Sequence, residues 1–305
     1  MKLRHVVSAK QFDTKTLQEI FNLTDKIKSG KYNKQALAGK VMVTLFYEPS
    51  TRTRMSFEAS MLKLGGSVIS TENAAEFSSA IKGETIEDTI RIVNGYTDLI
   101  VIRHPQSGIA DTAAKFSKVP VINAGDGTGE HPTQALLDLY TIFSKFKKSN
   151  FTIAMVGELA TYRAVHSLSY LLTLFPDVKF TFVSPKKLCI LPELRERLKK
   201  SGNKFRETED LNDGLKDADV VYVTRIQKER LTQADYKKYF GVYVIDKNTL
   251  KLIKKDAIIM HPLPRINEIT ADVDSDPRAI YFEEAQNGLY VRMAVLLLLF
   301  DKARM

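Results

Sequence analysis

The chain predicts an α/β protein of two domains, each a parallel β-sheet flanked by helices. Three observations lead there: short β-branched apolar runs recur along it, segments with helical spacing lie between them, and its 305 residues exceed one typical core. The runs are VMVTLFY (41–47), DLIVIRH (98–104), VPVINAG (119–125), FTIAMVG (151–157), KFTFVSP (179–185), DVVYVTR (219–225) and AIIMHPLP (257–264). Near-continuous apolar stretches of this length suit strands buried on both faces of a parallel sheet.

Between the runs the apolar period changes. Beyond Asp13, a good cap residue, Leu17, Ile20, Phe21 and Ile27 fall on one helical face. HPTQALLDLYTIFSKF and LPELRERLKKSG read as helices, the second stopped by Gly202. The polar stretch FKKSN near residue 148 makes a natural junction. It divides the chain into a first domain over 1–147 and a second over 148–284, with a C-terminal helix over 285–305 expected to pack back on the first. No repeat or low-complexity tract interrupts this order.

Lys and Arg exceed Asp and Glu by nine (45 against 36). The basic residues are scattered in pairs such as Lys147-Lys148 and Lys199-Lys200, without interleaved aromatics. A nucleic-acid partner is therefore disfavoured against a bland basic surface or attraction of small anions. Cys189 is the sole cysteine, which excludes an intramolecular disulfide and a multi-cysteine zinc site and fits a cytoplasmic location. The first residues lack the apolar segment of a signal peptide, and the run Met293–Phe300 is far too short to span a bilayer. No metal or cofactor is expected: paired histidines at helical spacing are lacking, and VGELATYRAV has one glycine where a dinucleotide fingerprint needs three.

Function is written at the ends of the strands. In open parallel sheets, ligands bind outside the carboxyl ends. Here those ends carry Arg52, Arg54, Arg103, Arg163, Arg225 and Arg265, with Ser50, Thr51, Thr53, His131 and Gln134. Such an edge suits a ligand bearing phosphate and carboxylate groups. EPSTRTR places Ser50, Thr51 and Thr53 where a strand turns into a helix, so backbone N–H groups and hydroxyls can bind an anion while Arg52 grips it in a fork. An ordinary Ser/Thr cap with exposed arginines explains the same letters equally well. His131 and Gln134 lie three apart, and a neutral imidazole can donate to an oxygen that gains charge during acyl transfer. A lone histidine is more often structural, and His5, His104, His166 and His261 are read that way. Pro262 and Pro264 fix the backbone around Leu263 and expose carbonyl groups. Locally, Lys82 reads as solvated surface, and Arg225 with Gln227 reads equally as a carboxylate receptor or a charged helix start.

Taken together, FYEPSTRTRMSFE, KGET, VIRHP, NAGDGTGEHPTQALLDLYT, VTRIQKERL and MHPLPR resemble, in order and spacing, the aspartate carbamoyltransferases. The resemblance covers essentially the whole chain. Ornithine carbamoyltransferases share the first motifs but typically have HCLP where this chain has HPLP, which favours aspartate over ornithine; another amine and a non-enzymatic basic binding protein are the alternatives, the second disfavoured by the intact Arg52, Thr53, Arg103, His131 and Gln134. What the resemblance implies is transfer of a carbamoyl group from carbamoyl phosphate to the α-amino group of L-aspartate, an early step of pyrimidine biosynthesis. Ser50, Arg52, Thr53, Arg103, His131 and Gln134 would hold carbamoyl phosphate, Arg52, Thr53, Arg103 and His131 being catalytic. The peptide around Leu263 and Pro264 would accept from the amide, and Arg163, Arg225 and Gln227 would bind aspartate. Ser78 and Lys82 would reach a neighbouring subunit's site, Lys82 also touching aspartate there, in a homotrimer whose domains close on the substrates. Zinc-binding regulatory chains join such trimers in some relatives. A departure falls at Ala160-Thr161-Tyr162, where many relatives have a basic residue, an aromatic and a glycine, so the roles of those neighbours in closure and regulation do not carry over.

Overall fold

The computed structural model describes residues 3–74, 82–146 and 149–301. The chain separates into two units. One takes the chain up to Leu137 and again from Asn287, and the other is Asp138–Gln286. Both boundaries of these units fall inside helices, Pro132–Lys145 and Tyr281–Leu299.

The first unit holds β1 (Val41–Phe46), β2 (Ser67–Glu72), β3 (Leu99–His104) and β4 (Val121–Asp126). They form one parallel sheet in the order β2-β1-β3-β4. Alternation along β1 sends Val43 and Leu45 into a cluster with Ile100, Ile102 and Val121. Helices α3 (Ile86–Val93) and α4 (Ile109–Phe116) cover that cluster with Ile90, Ala110 and Ala113. Helix α1 (Thr14–Lys28) begins where the apolar spacing predicts, its Asp13 side chain accepting from the Thr16 N–H at 2.7 Å. Helix α2 (Thr51–Lys63) follows β1 and buries Phe57, Ser60 and Met61. The C-terminal helix starts four residues ahead of the expected position, and its first turn carries Glu283 and Glu284, acids that complement a helix N-terminus. Its later turns belong to the first unit: the Ser60 hydroxyl donates to the Leu289 carbonyl at 3.1 Å, and the Arg292 guanidinium lies 5.0 Å above the Phe57 ring.

The second unit is a five-stranded parallel sheet in the order β7-β6-β5-β8-β9. Its strands are β5 (Thr152–Val156), β6 (Lys179–Val183), β7 (Phe205–Thr208), β8 (Val220–Val223) and β9 (Ile258–Met260). Helix α5 (Pro132–Lys145) leads into it, and α6 (Arg163–Leu172), α7 (Pro192–Ser201), α8 (Leu211–Leu215), α9 (Gln233–Tyr239) and α10 (Tyr281–Leu299) follow in chain order. Helix α7 ends at Gly202 in the left-handed region at φ 78°, as its sequence predicts. The interior strands β5 and β8 are buried almost throughout, which is why they read as apolar runs. Strands β2 and β7 do not: each lies at one edge of its sheet with mostly exposed or half-buried side chains, and the apolar pattern misses both.

Strand order locates the site. From β1 the chain steps outward to β2 and then returns to place β3 on the opposite flank of β1. From β5 it steps out to β6 and β7 and returns to place β8 on the opposite flank of β5. Each unit therefore has a switch point where neighbouring loops diverge and leave a crevice beyond the carboxyl ends. In the first unit it lies between β1 and β3, in the second between β5 and β8.

Candidate active site

In the first unit, Glu48 through Thr53 leave β1 directly into α2. Ser50 is the cap residue at φ −161°, and its carbonyl accepts from the Arg54 N–H at 3.2 Å. Its hydroxyl makes no capping bond, so the first-turn N–H groups of α2 are not closed off by that side chain. Arg52 is exposed and Thr53 buried. Arg54, two residues on, is committed elsewhere: it pairs with Glu58 at 3.2 Å and Glu72 at 2.7 Å and donates to the Ser70 hydroxyl, tying α2 to the edge strand β2.

Across the switch point, Arg103 closes β3. Its Nε lies 3.4 Å from the Glu48 carboxylate and its Nη1 donates to the Ala124 carbonyl at 3.4 Å, which directs the guanidinium along the strand ends. His104 accepts from the Gln106 N–H at 3.0 Å through Nδ1, and burial holds its imidazole below the usual histidine range. The neighbouring loop is pinned by Asp126, whose carboxylate accepts from the N–H groups of Gly108 and Glu130. Gly127 is required there, since at φ 49° a Cβ would meet the Pro105 carbonyl oxygen at 2.5 Å. His131 follows, buried, its carbonyl accepting from the N–H groups of Gln134 and Ala135 as α5 begins. The strands are parallel and adjacent, so Ser50–Thr53, Arg103 and His131–Gln134 share one sheet edge.

In the second unit, β5 ends at Gly157, where a Cβ would stand 2.3 Å from the Thr224 carbonyl oxygen. The ends of β5 and β8 thereby approach as closely as two backbones can. Arg163 opens α6 beyond β5, and Arg225 with Gln227 follows β8, so the three flank this switch point. The departure Ala160-Thr161-Tyr162 has a local partner: Glu158, fully buried, accepts from the Thr161 N–H at 2.6 Å. Burial raises the Glu158 carboxyl above its usual range against the Thr161 bonds and the Arg230 charge. Tyr162 caps α6 as a buried side chain, and burial pushes its phenol upward. Arg225 forms a two-pronged pair with Glu229, which holds its guanidinium oriented and, against burial, raises its pKa.

The segment after β9 is the most tightly specified. Leu263 adopts φ 52°, a left-handed conformation unusual for a branched side chain, and the bond to Pro264 is cis. The His261 ring supports it: Nδ1 accepts from the Leu263 N–H at 2.7 Å, so Nε2 carries the proton toward Glu268, 2.8 Å away. Glu268 also collects the N–H groups of Ile266 and Asn267, and although burial alone would raise its carboxyl, these donors hold it below the usual range. Arg265 is not part of an open anion receptor, because Asp274 and the Tyr281 hydroxyl take its guanidinium.

The expected residues thus fall into two sets, one at each switch point. Lys82 is exposed beside Gly83, and Ser78 lies outside the described residues. The carboxylates Glu48, Glu158, Glu229 and Glu268, which orient the basic and backbone groups, escaped the sequence reading. Only Glu229 left a signal, its spacing of four from Arg225. Among the described residues, no helix is long and apolar enough to cross a membrane, and no three His, Cys, Asp or Glu side chains gather where they could hold a metal ion.

Comparison with known proteins accounts for nearly the full length. A family model for the carbamoyl-P binding domain of aspartate/ornithine carbamoyltransferases matches residues 4–144, and one for the Asp/Orn binding domain matches 149–299. The chloroplastic aspartate carbamoyltransferase of Arabidopsis thaliana is 53% identical over 304 residues, covering 98% of this chain and 78% of that protein. The aspartate carbamoyltransferase catalytic subunit of Clostridium novyi is 47% identical, covering 96% of each. Among solved structures, the catalytic subunit of M. jannaschii aspartate transcarbamoylase superposes with a TM-score of 0.89 at 46% identity, covering 98% of both chains. Aspartate transcarbamoylase from Trypanosoma cruzi, in complex with carbamoyl phosphate and aspartate, gives 0.88 at 37% identity, covering 97% of this chain and 95% of that one.

Proposed function

The chain belongs to the aspartate/ornithine carbamoyltransferase family, and from that premise we propose that it carbamoylates the α-amino group of L-aspartate with carbamoyl phosphate. The observation that carries the choice of aspartate is the basic loop at the second switch point. Arg163, Arg225 and Gln227 gather there with Lys228 and Arg230 nearby in sequence. Two carboxylates suit such a loop, whereas the cationic amine of ornithine would face like charge.

In this reading Ser50, Arg52, Thr53 and the first-turn N–H groups of α2 bind the phosphate, and Arg103, His131 and Gln134 reach the carbamoyl group. Carbonyl groups around Leu263 and Pro264 accept from its amide. The uncharged aspartate amine attacks the carbamoyl carbon, forming a C–N bond and a tetrahedral intermediate. Collapse of that intermediate breaks the C–O bond to phosphate, and the departing phosphate takes the amine proton. No protein nucleophile is involved. Arg52, Thr53, Arg103 and His131 stabilise the charge on the intermediate and the leaving group, so positioning and electrostatics supply most of the acceleration. The first unit is the carbamoyl phosphate domain and the second the aspartate domain. A cytoplasmic homotrimer, with Ser78 and Lys82 serving a neighbour, completes the proposal. Incubating the purified chain with carbamoyl phosphate and either aspartate or ornithine tests it. N-carbamoyl-aspartate and phosphate should appear in equal amounts; citrulline instead would overturn the assignment.

A further inference from the structure

Behind the 261–264 segment lie two carboxyl groups that the transfer reaction does not use. Asp138 on α5 is 0% exposed and Glu284 on α10 1% exposed. The Tyr222 hydroxyl on β8 donates to Asp138 Oδ2 at 2.8 Å. Glu284 Oε2 accepts from the backbone N–H of His261 at 2.8 Å, while the buried Oε1 meets no donor. Asp138 is the hydrogen-bonding side chain that faces it, and no basic group acts on Glu284. Tyr222 feels both acids, together with the buried Tyr162 phenol. Two ionised carboxylates facing each other in a buried place would repel, whereas one proton between them gives the buried Glu284 Oε1 a bond to make. Burial, and then Asp138, raise the Glu284 carboxyl well above its ordinary range, in agreement with that arrangement.

We propose that Glu284 is a positioning residue for carbamoyl transfer: as a neutral acid donating its proton to Asp138, it accepts the His261 N–H and holds the backbone whose carbonyl groups receive the carbamoyl amide. The chain of support runs from Tyr222 through Asp138 and Glu284 to the main chain at His261, and from the His261 ring to Leu263. Leu263 needs such anchoring, since a non-glycine residue at φ 52° persists only where its surroundings over-determine it. The inference rests on the function proposed above for its catalytic part, but the shared proton stands apart from it.

Glutamine reproduces the neutral acid, with its carbonyl accepting from His261 and its amide donating to Asp138; leucine does neither. Glu284→Gln and Glu284→Leu in the full chain should therefore diverge. At neutral pH, Glu284→Gln should keep kcat/KM for carbamoyl phosphate within about threefold of the parent, and Glu284→Leu should lose about tenfold or more, since it strands a buried N–H. The pH response separates positioning from bulk structure. A carboxyl whose pKa is raised by folding contributes stability that is fully present below the unfolded value and is lost as pH rises through the folded one. The parent should lose denaturant stability and carbamoyl transfer as pH rises through the range where the pair gives up its proton, and Glu284→Gln should retain both. Equal damage in the two variants, or the same pH response of stability and rate in parent and Glu284→Gln, overturns the proposal. Should Glu284→Leu fail to fold, the comparison of parent with Glu284→Gln decides alone. If the parent made no carbamoyl-aspartate, the functional reading would fail, while the pH dependence of stability would still test the shared proton.

Discussion

Arg52 and Arg54 stand two positions apart on one helix and have different tasks. Their side chains leave α2 about 200° apart, at roughly 100° per residue. Arg54 turns toward β2 and spends its guanidinium on Glu58, Glu72 and Ser70, whereas Arg52 is exposed at the end of β1. Sequence alone places both arginines at a strand end and singles out Arg52 for the anion, but it is blind to the acid of β2 that claims Arg54. The same blindness covers Arg265, which Asp274 takes, and the carboxylates that orient Arg225 and the 261–268 backbone. Ser50, Arg103, His131 and Arg225 stand out in the sequence as candidates because strand ends are where a parallel sheet binds ligands; Glu48, which pairs with Arg103, lies far from it in sequence, whereas Glu229 is four residues from Arg225. Arg52→Ala should therefore lower kcat/KM by about 3–4 kcal/mol of transition-state stabilisation, with the unfolding midpoint little changed. Arg54→Ala should do the reverse, lowering stability first because it removes the guanidinium that ties α2 to Glu72 and Ser70 of β2. Steady-state kinetics and denaturant titration on both variants check the pair. An Arg52→Ala enzyme that is folded and within a few-fold of the parent would remove Arg52 from the phosphate site.

At the scale of elements, legibility followed burial. Strands enclosed on both sides, such as β3 and β5, appear as apolar runs. The edge strands SVISTE and FRET carry no such run because most of their side chains are exposed or half-buried, whereas the opposite edges β4 and β9 are buried and do appear as apolar runs. The absence of SVISTE and FRET from the sequence reading hides the strand order, and with it the two switch points, one beside the basic residues that follow β1 and β3 and the other beside those that follow β5 and β8. Gly157 holds one of these switch points shut. It lies at φ 118°, and any Cβ would collide with the Thr224 carbonyl and hydroxyl oxygens. Gly157→Ala should force β5 and β8 apart where Arg163 and Arg225 emerge. Strain of this kind typically costs on the order of 1–3 kcal/mol. The expected outcome is a lowered melting temperature together with a raised KM for aspartate. A variant as stable as the parent, with an unchanged KM, would show that the close approach is dispensable.

For the whole molecule, the open matter is whether one chain makes a complete site. The proposed reading assigns Lys82 to a neighbour's site, and Lys82 itself is an exposed residue beside Gly83 with nothing local to distinguish it from solvated surface. The two readings separate in mixed assemblies. If the site is shared, chains carrying Lys82→Ala and chains carrying Arg52→Ala should each be nearly inactive alone, because every site lacks one group. In a mixed cyclic trimer, one interface joins an intact Arg52 from one chain to an intact Lys82 from the next, whichever variant is in excess. About a third of the sites should then work, as follows from cyclic symmetry with one orientation of neighbours. Mixing folded variants after dissociation and reassembly, followed by an assay of carbamoyl-aspartate, reads this directly. Recovery toward about a quarter of parental activity on equal mixing, where about three quarters of randomly reassembled trimers are mixed and about a third of their sites work, supports the shared site, since two defects in one intrachain site cannot complement. Lys82→Ala chains that are active from the start, or mixed trimers as inactive as their parents, would return Lys82 to the solvated surface and confine the chemistry to a single chain.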